Sequence, residues 1–272
     1  MRESLHIEPS FEDWMPFVDP QHPFESVSRF FGFELGRHQR RRSKFVRKEL
    51  TKPDGSQVVV YFKLYGYRRL RRAFSRILKP TRSKNEFANL KFFQKLGIPV
   101  CVPMVQGEYR NAFGIPRNCM IITLEVTGAS QLDHFIASLE ESDEPSEVKA
   151  DLRRQIIESI ATNLRKIHDE HFYHDDLKWR NVLVRRVGEQ GEKVEVFWID
   201  CPNGYFDKTG GMRSQHGIVK DVATLDHLAW RNCSLEERLY FLSCYLGLEI
   251  DDPKLRDFAD EVVEYRKKKL DD

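Results

Sequence analysis

The spacing of apolar positions changes about a third of the way along the chain. Over residues 30–64 the apolar side chains come in short runs. The first is Phe30-Phe31-Gly32-Phe33-Glu34-Leu35 and the second Lys44-Phe45-Val46-Arg47-Lys48-Glu49-Leu50; after a Pro53-Asp54-Gly55-Ser56 turn comes Val58-Val59-Val60-Tyr61-Phe62-Lys63-Leu64. Runs of this length, rich in β-branched and aromatic residues and bounded by turn residues, predict an antiparallel meander. A helix is predicted from near Ser83 to Gly97, where the glycine and the following Pro99 act as stop signals. Met120-Ile121-Ile122-Thr123-Leu124 reads as a buried strand, and the polar stretch 138–147 as a surface loop. Leu152, Ile156, Ile157, Ile160, Leu164 and Ile167 then recur every three to four residues, marking one face of a long helix. Val182-Leu183-Val184 and the run 194–199, joined through Gly188 and Gly191, predict a hairpin, and from about Val219 the chain reads as mostly helical. A strand-rich first third and a helix-rich remainder predict an α+β fold of two lobes with a cleft between them: residues 1–124, sheet and one main helix behind an N-terminal extension, and residues 125–272, helical.

Composition narrows the class. At 272 residues with 40% hydrophobic content the chain is long enough to bury a sizeable core. Its five cysteines are odd in number and form no C-x-x-C pair, which argues against a disulfide framework or a zinc site and for a reducing compartment. Residues 1–17 carry Glu3, Glu8, Glu12 and Asp13 and no long apolar core, so neither a signal peptide nor a membrane-spanning helix is expected there. The net charge is only +2, but the signs are segregated. Over residues 65–84, Arg68, Arg69, Arg71, Arg72, Arg76, Lys79, Arg82 and Lys84 occur without an acid, interleaved with Tyr65, Tyr67, Leu70, Phe74, Ile77 and Leu78. That is the makeup of an interfacial basic segment suited to an anionic membrane surface. No nucleic-acid motif accompanies it, so no nucleic-acid partner is expected, and a merely solvated helix is the plain alternative.

The chemistry concentrates in His174-Asp175-Asp176-Leu177-Lys178-Trp179-Arg180-Asn181, between the long helix and the hairpin. Phosphoryl transfer needs a carboxylate to orient and deprotonate the acceptor hydroxyl, a cation near the transferring group, and oxygen ligands for magnesium. Asp176 fits the first role, Lys178 the second, and Asn181 the third together with Asp200, which closes the run Phe197-Trp198-Ile199-Asp200. The bland alternative is a polar turn whose Asp and Asn satisfy local backbone groups. The set matches H-x-D-x-K-x-x-N and resembles the protein-kinase catalytic loop and metal-binding aspartate. Asp200 is followed by Cys201-Pro202-Asn203 instead of Phe-Gly and no A-P-E appears downstream, which favours a small-molecule or glycan acceptor over a peptide.

Lys63 is the candidate for the α- and β-phosphates and Glu86 its candidate ion-pair partner, although Ser83 and Glu86 also spell a capping box. Glu125 and Val126 follow the buried strand as an interlobe hinge whose backbone groups would bind adenine. Asp221 either braces the catalytic loop or is an acid favoured by the dipole at a helix start. No glycine-rich phosphate loop is evident; residues 35–44 hold one glycine and a dense basic run, fit to cover phosphates, to meet an anionic acceptor, or simply to be solvated.

Taken together, Tyr61-Phe62-Lys63, Asn85-Glu86-Phe87-Ala88-Asn89-Leu90, Leu96-Gly97-Ile98-Pro99-Val100, the His174 loop, Ile199-Asp200 and Lys220-Asp221 resemble the lipopolysaccharide kinase family, the WaaP-like enzymes that phosphorylate heptose or Kdo of the inner core. The resemblance implies a protein-kinase-like fold, ATP and magnesium (Mg2+) as cofactors, a lipopolysaccharide or lipid A-core acceptor with heptose preferred over Kdo, and a cytoplasmic location peripheral to the inner membrane. A kinase of another acceptor, such as an aminoglycoside or a protein, and a non-catalytic pseudokinase scaffold are the alternatives.

Overall fold

The computed structural model describes residues 2–34, 43–67, 77 and 79–271. Residues 35–42 of the basic run 35–44, and 68–76 and 78 of the basic segment 65–84, lie outside the described residues. The chain divides into two compact units, one made of Met1–Phe92 and Cys101–Glu125, the other of Phe93–Val100 and Val126–Asp272.

The first unit is built on a five-stranded antiparallel sheet of order β1-β4-β5-β3-β2, with β1 at Arg2–Ile7, β2 at Ser43–Thr51, β3 at Gln57–Gly66, β4 at Pro103–Arg110 and β5 at Pro116–Leu124. Strand alternation sorts β3 into two sets. Val58, Val60, Phe62 and Leu64 join Val46 and Leu50 of β2 in a core filled by Phe11, Met15, Phe24, Val27, Phe31 and Phe33 from the N-terminal residues. Tyr61, Lys63 and Tyr65 belong to the opposite face. Over residues 30–34 the run is not the strand expected of it, and Leu35 lies outside the described residues. Helix α1 (Pro23–Phe30) ends there, opened by Pro23 and by Glu3, whose carboxylate accepts the N–H groups of Phe24 and Glu25 at 2.9 and 3.2 Å. Gly32, at φ +81°, then turns the chain so that Phe31 and Phe33 stack on Phe62 at 4.6 and 5.3 Å. Phe31 and Phe33, which mimic a strand, are core wedges on a turn, and Phe30 ends the helix before them.

Helix α2 (Arg82–Lys95) follows, and Gly97 at φ +69° lets Gly97 and Ile98 donate back to its last carbonyls. In the second unit come β6 (Ser130–Gln131), α3 (Leu132–Glu141), α4 (Ser146–Asp169), β7 (Phe172–Tyr173), β8 (Val182–Val187), β9 (Lys193–Trp198), β10 (Tyr205–Phe206), α5 (Met212–Asn232), α6 (Leu235–Leu246) and α7 (Pro253–Lys269). The loop expected over 138–147 shrinks to residues 142–145, because Leu132, Phe135, Ile136 and Leu139 bury one face of α3 and carry the helix through its polar end. α5 starts at Met212, ahead of the expected Val219. Weak helix formers hide that start: a Cβ on Gly217 would fall 2.6 Å from the Tyr173 ring, so close packing demands the glycine there.

Candidate functional site

In the second unit the loop after β7 is fixed from beneath. β7 pairs with β10, Tyr173 opposite Tyr205. His174 is fully buried, its ring parallel to Phe93 at 6.0 Å and edge-on to Trp198 at 5.9 Å. Neither ring nitrogen has a hydrogen-bond partner among the described residues, and burial pushes its pKa below the ordinary value, so it packs as a neutral aromatic plate. Asp221 on α5 takes the N–H of His174 at 2.6 Å and of Asp175 at 2.8 Å, and lies 3.3 Å from His168 Nε2. It sits well inside α5, so the helix-start explanation does not apply and the bracing one does. Asp175 itself is left-handed at φ +68° and is paired through its carboxylate with Lys220 at 2.5 Å. Burial works against the Lys220 ammonium, but the hydrogen bond to Asp175 and the neighbouring charges, Asp175 first, together outweigh it and hold its pKa above the usual lysine value.

The same loop closes on itself. The Asp176 carbonyl accepts Lys178 N–H at 2.9 Å and Asn181 Nδ2 at 2.8 Å, while Lys178 Nζ reaches the Asp176 carboxylate at 2.7 Å. Trp179 Nε1 donates to Leu225 C=O at 2.9 Å and anchors the turn to α5. Ile199 N–H donates to Asn181 C=O at 2.9 Å, which draws the end of β9 beside the loop and sets Asp200 next to it, turned by a left-handed φ of +60°. With Nδ2 engaged by the Asp176 carbonyl, Oδ1 is the Asn181 amide atom able to take a metal. Together with the Asp200 carboxylate it is a hard-oxygen donor set of the kind magnesium takes, so these residues fit the ion.

In the first unit, Lys63 Nζ stands 2.9 Å from one Glu86 oxygen and Tyr65 OH donates to the other at 2.7 Å; Glu86 is fully buried. The capping box does not form. α2 begins at Arg82, which puts Ser83 inside its first turn, and the Ser83 hydroxyl donates to Gly107 C=O at 3.3 Å. Sequence reasoning passed over Tyr65, although strand alternation puts it on the face of Lys63. After β5, Glu125 N–H donates to Val59 C=O at 2.9 Å and Val126 C=O accepts Ala129 N–H at 3.2 Å, which commits two of the backbone groups assigned to adenine. Glu125 C=O and Val126 N–H are the two that the adenine assignment then rests on. The Glu125 side chain, also passed over, takes Arg47 through both oxygens at 2.8 and 3.1 Å and Tyr61 OH at 2.9 Å. The Arg47 hydrogen bond, with help from Tyr61, holds the Glu125 carboxyl below its ordinary pKa.

The structure thus brings Asp176, Lys178, Asn181 and Asp200 together in one unit and pairs Lys63 with Glu86 in the other. A family model described as "Lipopolysaccharide kinase (Kdo/WaaP) family" matches residues 36–231. Two curated relatives carry the name 3-deoxy-D-manno-octulosonic acid kinase. That from Haemophilus influenzae (strain ATCC 51907 / DSM 11121 / KW20 / Rd) is 31% identical over 148 residues, 54% of each chain. That from Actinobacillus succinogenes (strain ATCC 55618 / DSM 22257 / CCUG 43843 / 130Z) is 30% identical over 148 residues, 54% of this chain and 53% of its own. The chain spans about half the length of the curated relatives it matches. A solved structure, "WaaP in complex with acyl carrier protein", superposes with a TM-score of 0.68 over 98% of both chains at 18% identity, which bears out the protein-kinase-like fold.

Proposed function

Since the chain belongs to the lipopolysaccharide kinase (Kdo/WaaP) family, we propose that it transfers the γ-phosphate of ATP to a sugar hydroxyl of the lipopolysaccharide inner core. The observation that carries this reading is the closed loop in which Asp176, Lys178 and Asn181 are locked to one another and braced by Asp221. The Asp176 carboxylate accepts the proton of the acceptor hydroxyl as that oxygen attacks the γ-phosphorus and ADP departs. Lys178, on the same loop, neutralises charge gathering on the transferring group. Lys63, oriented by Glu86, binds the α- and β-phosphates, and the free backbone groups of Glu125 and Val126 take the adenine edge. A magnesium ion held by Asn181 and Asp200 would supply charge neutralisation at the β- and γ-phosphates.

The preference for heptose rests on resemblance alone, whereas the relatives are named for Kdo, so Kdo is the first acceptor to test and heptose the second. No helix among the described residues is long and apolar enough to cross a membrane. The basic segment 65–84, with its interleaved apolar residues, is suited by composition to the anionic cytoplasmic face of the inner membrane. The acyl carrier protein named with the WaaP structure suggests the same partner here. A 460 Å3 cavity in the second unit, walled by Ile136, Ile156, Ile160, Leu225, Leu242 and Val262, has the apolar lining an acyl chain requires.

The test is transfer of labelled γ-phosphate from Mg·ATP to lipid A bearing Kdo alone and to heptose-containing core lacking phosphate, beside peptide and aminoglycoside acceptors. Wild type should label a core sugar, and Asp176→Asn should lose about 10²- to 10⁴-fold in turnover while still binding nucleotide. Label in a peptide or aminoglycoside moves the function to another kinase class; nucleotide binding without transfer to any acceptor, with or without acyl carrier protein, makes the chain a scaffold.

A further inference from the structure

One arginine of the second unit stands beside the loop that carries Asp176 without a carboxylate to pair with. Arg213 is exposed and lies in the first turn of α5. A cation gains nothing from the helix dipole at that end, which favours acids, so helix formation does not account for it. An aromatic face holds it instead: the guanidinium sits 4.4 Å from the centre of the Tyr205 ring. Tyr205 is fixed in turn, since β10 pairs it with Tyr173 of β7 and the two rings lie 5.5 Å apart. Burial raises the Tyr205 pKa; a hydrogen bond from Arg213 works against that rise and the Asp175 charge adds to it, so the phenol lies within reach of both.

The nearby acids have other partners. Asp175 is taken by Lys220, and Asp207 is buried and accepts the Thr209 N–H at 3.1 Å. Among the described residues no carboxylate lies within ion-pair distance of Arg213. Its planar fork is therefore open to a ligand, in the geometry that grips a carboxylate through two parallel bonds.

A surface arginine stacked on a tyrosine says little until its place is considered. Tyr205 lies opposite Tyr173, and from Tyr173 the chain reaches Asp176 in three residues. A sugar whose hydroxyl meets the part-exposed Asp176 carboxylate thus has an arginine of the same unit close by. The two acceptors considered above differ in the feature an arginine reads. Kdo is a sugar acid, with a carboxylate on the same residue as its hydroxyls, whereas heptose bears no charge.

We propose that Arg213, held on the Tyr205 ring, binds the carboxylate of the acceptor sugar and so selects Kdo over heptose. The proposal deepens the core-sugar kinase reading above and rests on it. It assigns Tyr205 a share in the same task, as the platform that fixes the guanidinium before the acceptor arrives and lowers the entropy lost on binding.

The experiment is steady-state transfer of labelled γ-phosphate from Mg·ATP by the full chain to lipid A bearing Kdo, to the same acceptor with the Kdo carboxylate reduced to an alcohol, and to heptose-containing core. Arg213→Gln should lower kcat/KM for the intact Kdo acceptor about 10- to 100-fold, the loss of a charge-assisted bond, and leave KM for ATP unchanged. Arg213→Lys, which keeps the charge and loses the fork, should fall between. Reducing the carboxylate should bring wild type down to the level of Arg213→Gln and cost the variant nothing further. Full activity of Arg213→Gln on the intact acceptor, the same loss on the intact and the reduced acceptor, or label in heptose in preference to Kdo overturns the proposal and leaves the kinase reading standing. Failure of the wild type to label any core sugar overturns the kinase reading itself, so the two failures are distinct.

Discussion

Asp221→Asn isolates the brace beneath the catalytic loop. The carboxylate is fully buried and accepts two short backbone N–H bonds, from His174 at 2.6 Å and Asp175 at 2.8 Å. An amide keeps the shape but turns one acceptor oxygen into a donor, so one of those N–H groups faces another donor. Loss of a charge-assisted bond costs about 1.5–3 kcal/mol, and a buried donor without a partner costs about 1–3 kcal/mol. The two overlap, because the group stranded is the one whose bond is lost, so the expected destabilisation is about 2–4 kcal/mol. For a unit of this size that lowers the melting temperature by about 5–15 °C. Asp221→Ala strands both N–H groups and should be worse. Calorimetry and urea titration measure the stability term. Because the brace sets the backbone that carries Asp176, turnover in the folded variant should fall with little change in KM for ATP. A variant within about 0.5 kcal/mol of wild type would refute the brace as a source of stability. Unchanged turnover in a destabilised variant would show that Asp221 holds the loop without positioning the base.

Two further outcomes follow from buried polar groups. His174 is held neutral by burial, its folded pKa below the ordinary 6.5. Above 6.5 neither state binds the proton; below it the unfolded chain does and the folded one does not, so stability is complete above 6.5 and lost as pH falls, by up to about 1.4 kcal/mol per pH unit. Urea titrations between pH 7 and 5 should show that slope in wild type and a shallower one in His174→Phe; parallel slopes would mean His174 takes no part in it. Tyr65→Phe removes the 2.7 Å bond to Glu86 and should cost the first unit about 1.5–3 kcal/mol and raise KM for ATP, because Tyr65 no longer helps to fix the carboxylate that orients Lys63. Denaturation and steady-state kinetics on the same preparation check both, and a variant unchanged in stability removes Tyr65 from the site.

What the sequence made legible was mostly local. The loop that gathers Asp176, Lys178 and Asn181 was readable because the three lie within six consecutive positions, and the bonds that lock them join neighbours. Periodic elements, among them α4 and the β8–β9 hairpin, were readable because one face of each is buried. Partnerships made across long stretches of chain were not. Arg47 and Glu125 are 78 residues apart, and nothing in either neighbourhood points to the other. The start of α5 was masked by residues chosen for packing against Tyr173 over helix propensity, and 30–35 imitated a strand because a core wedge and a strand call for the same aromatics.

The Lys63 site shows how one local rule carries non-local consequences. From Val60 on along β3, the even positions Val60, Phe62 and Leu64 are apolar and the odd positions Tyr61, Lys63 and Tyr65 carry a polar atom each. Burying the even set fixes which way β3 faces, and a slip of one residue would drive Lys63 into a core of phenylalanines, where an unpaired ammonium costs several kcal/mol. The register is therefore set by hydrophobic burial, and the chemistry inherits it. Once β3 is fixed, Tyr65 and Lys63 reach opposite oxygens of Glu86, Tyr61 reaches Glu125, and pairing with β2 brings Phe45 opposite the lysine. The placement of every polar group on that face follows from apolar residues that take no part in the chemistry.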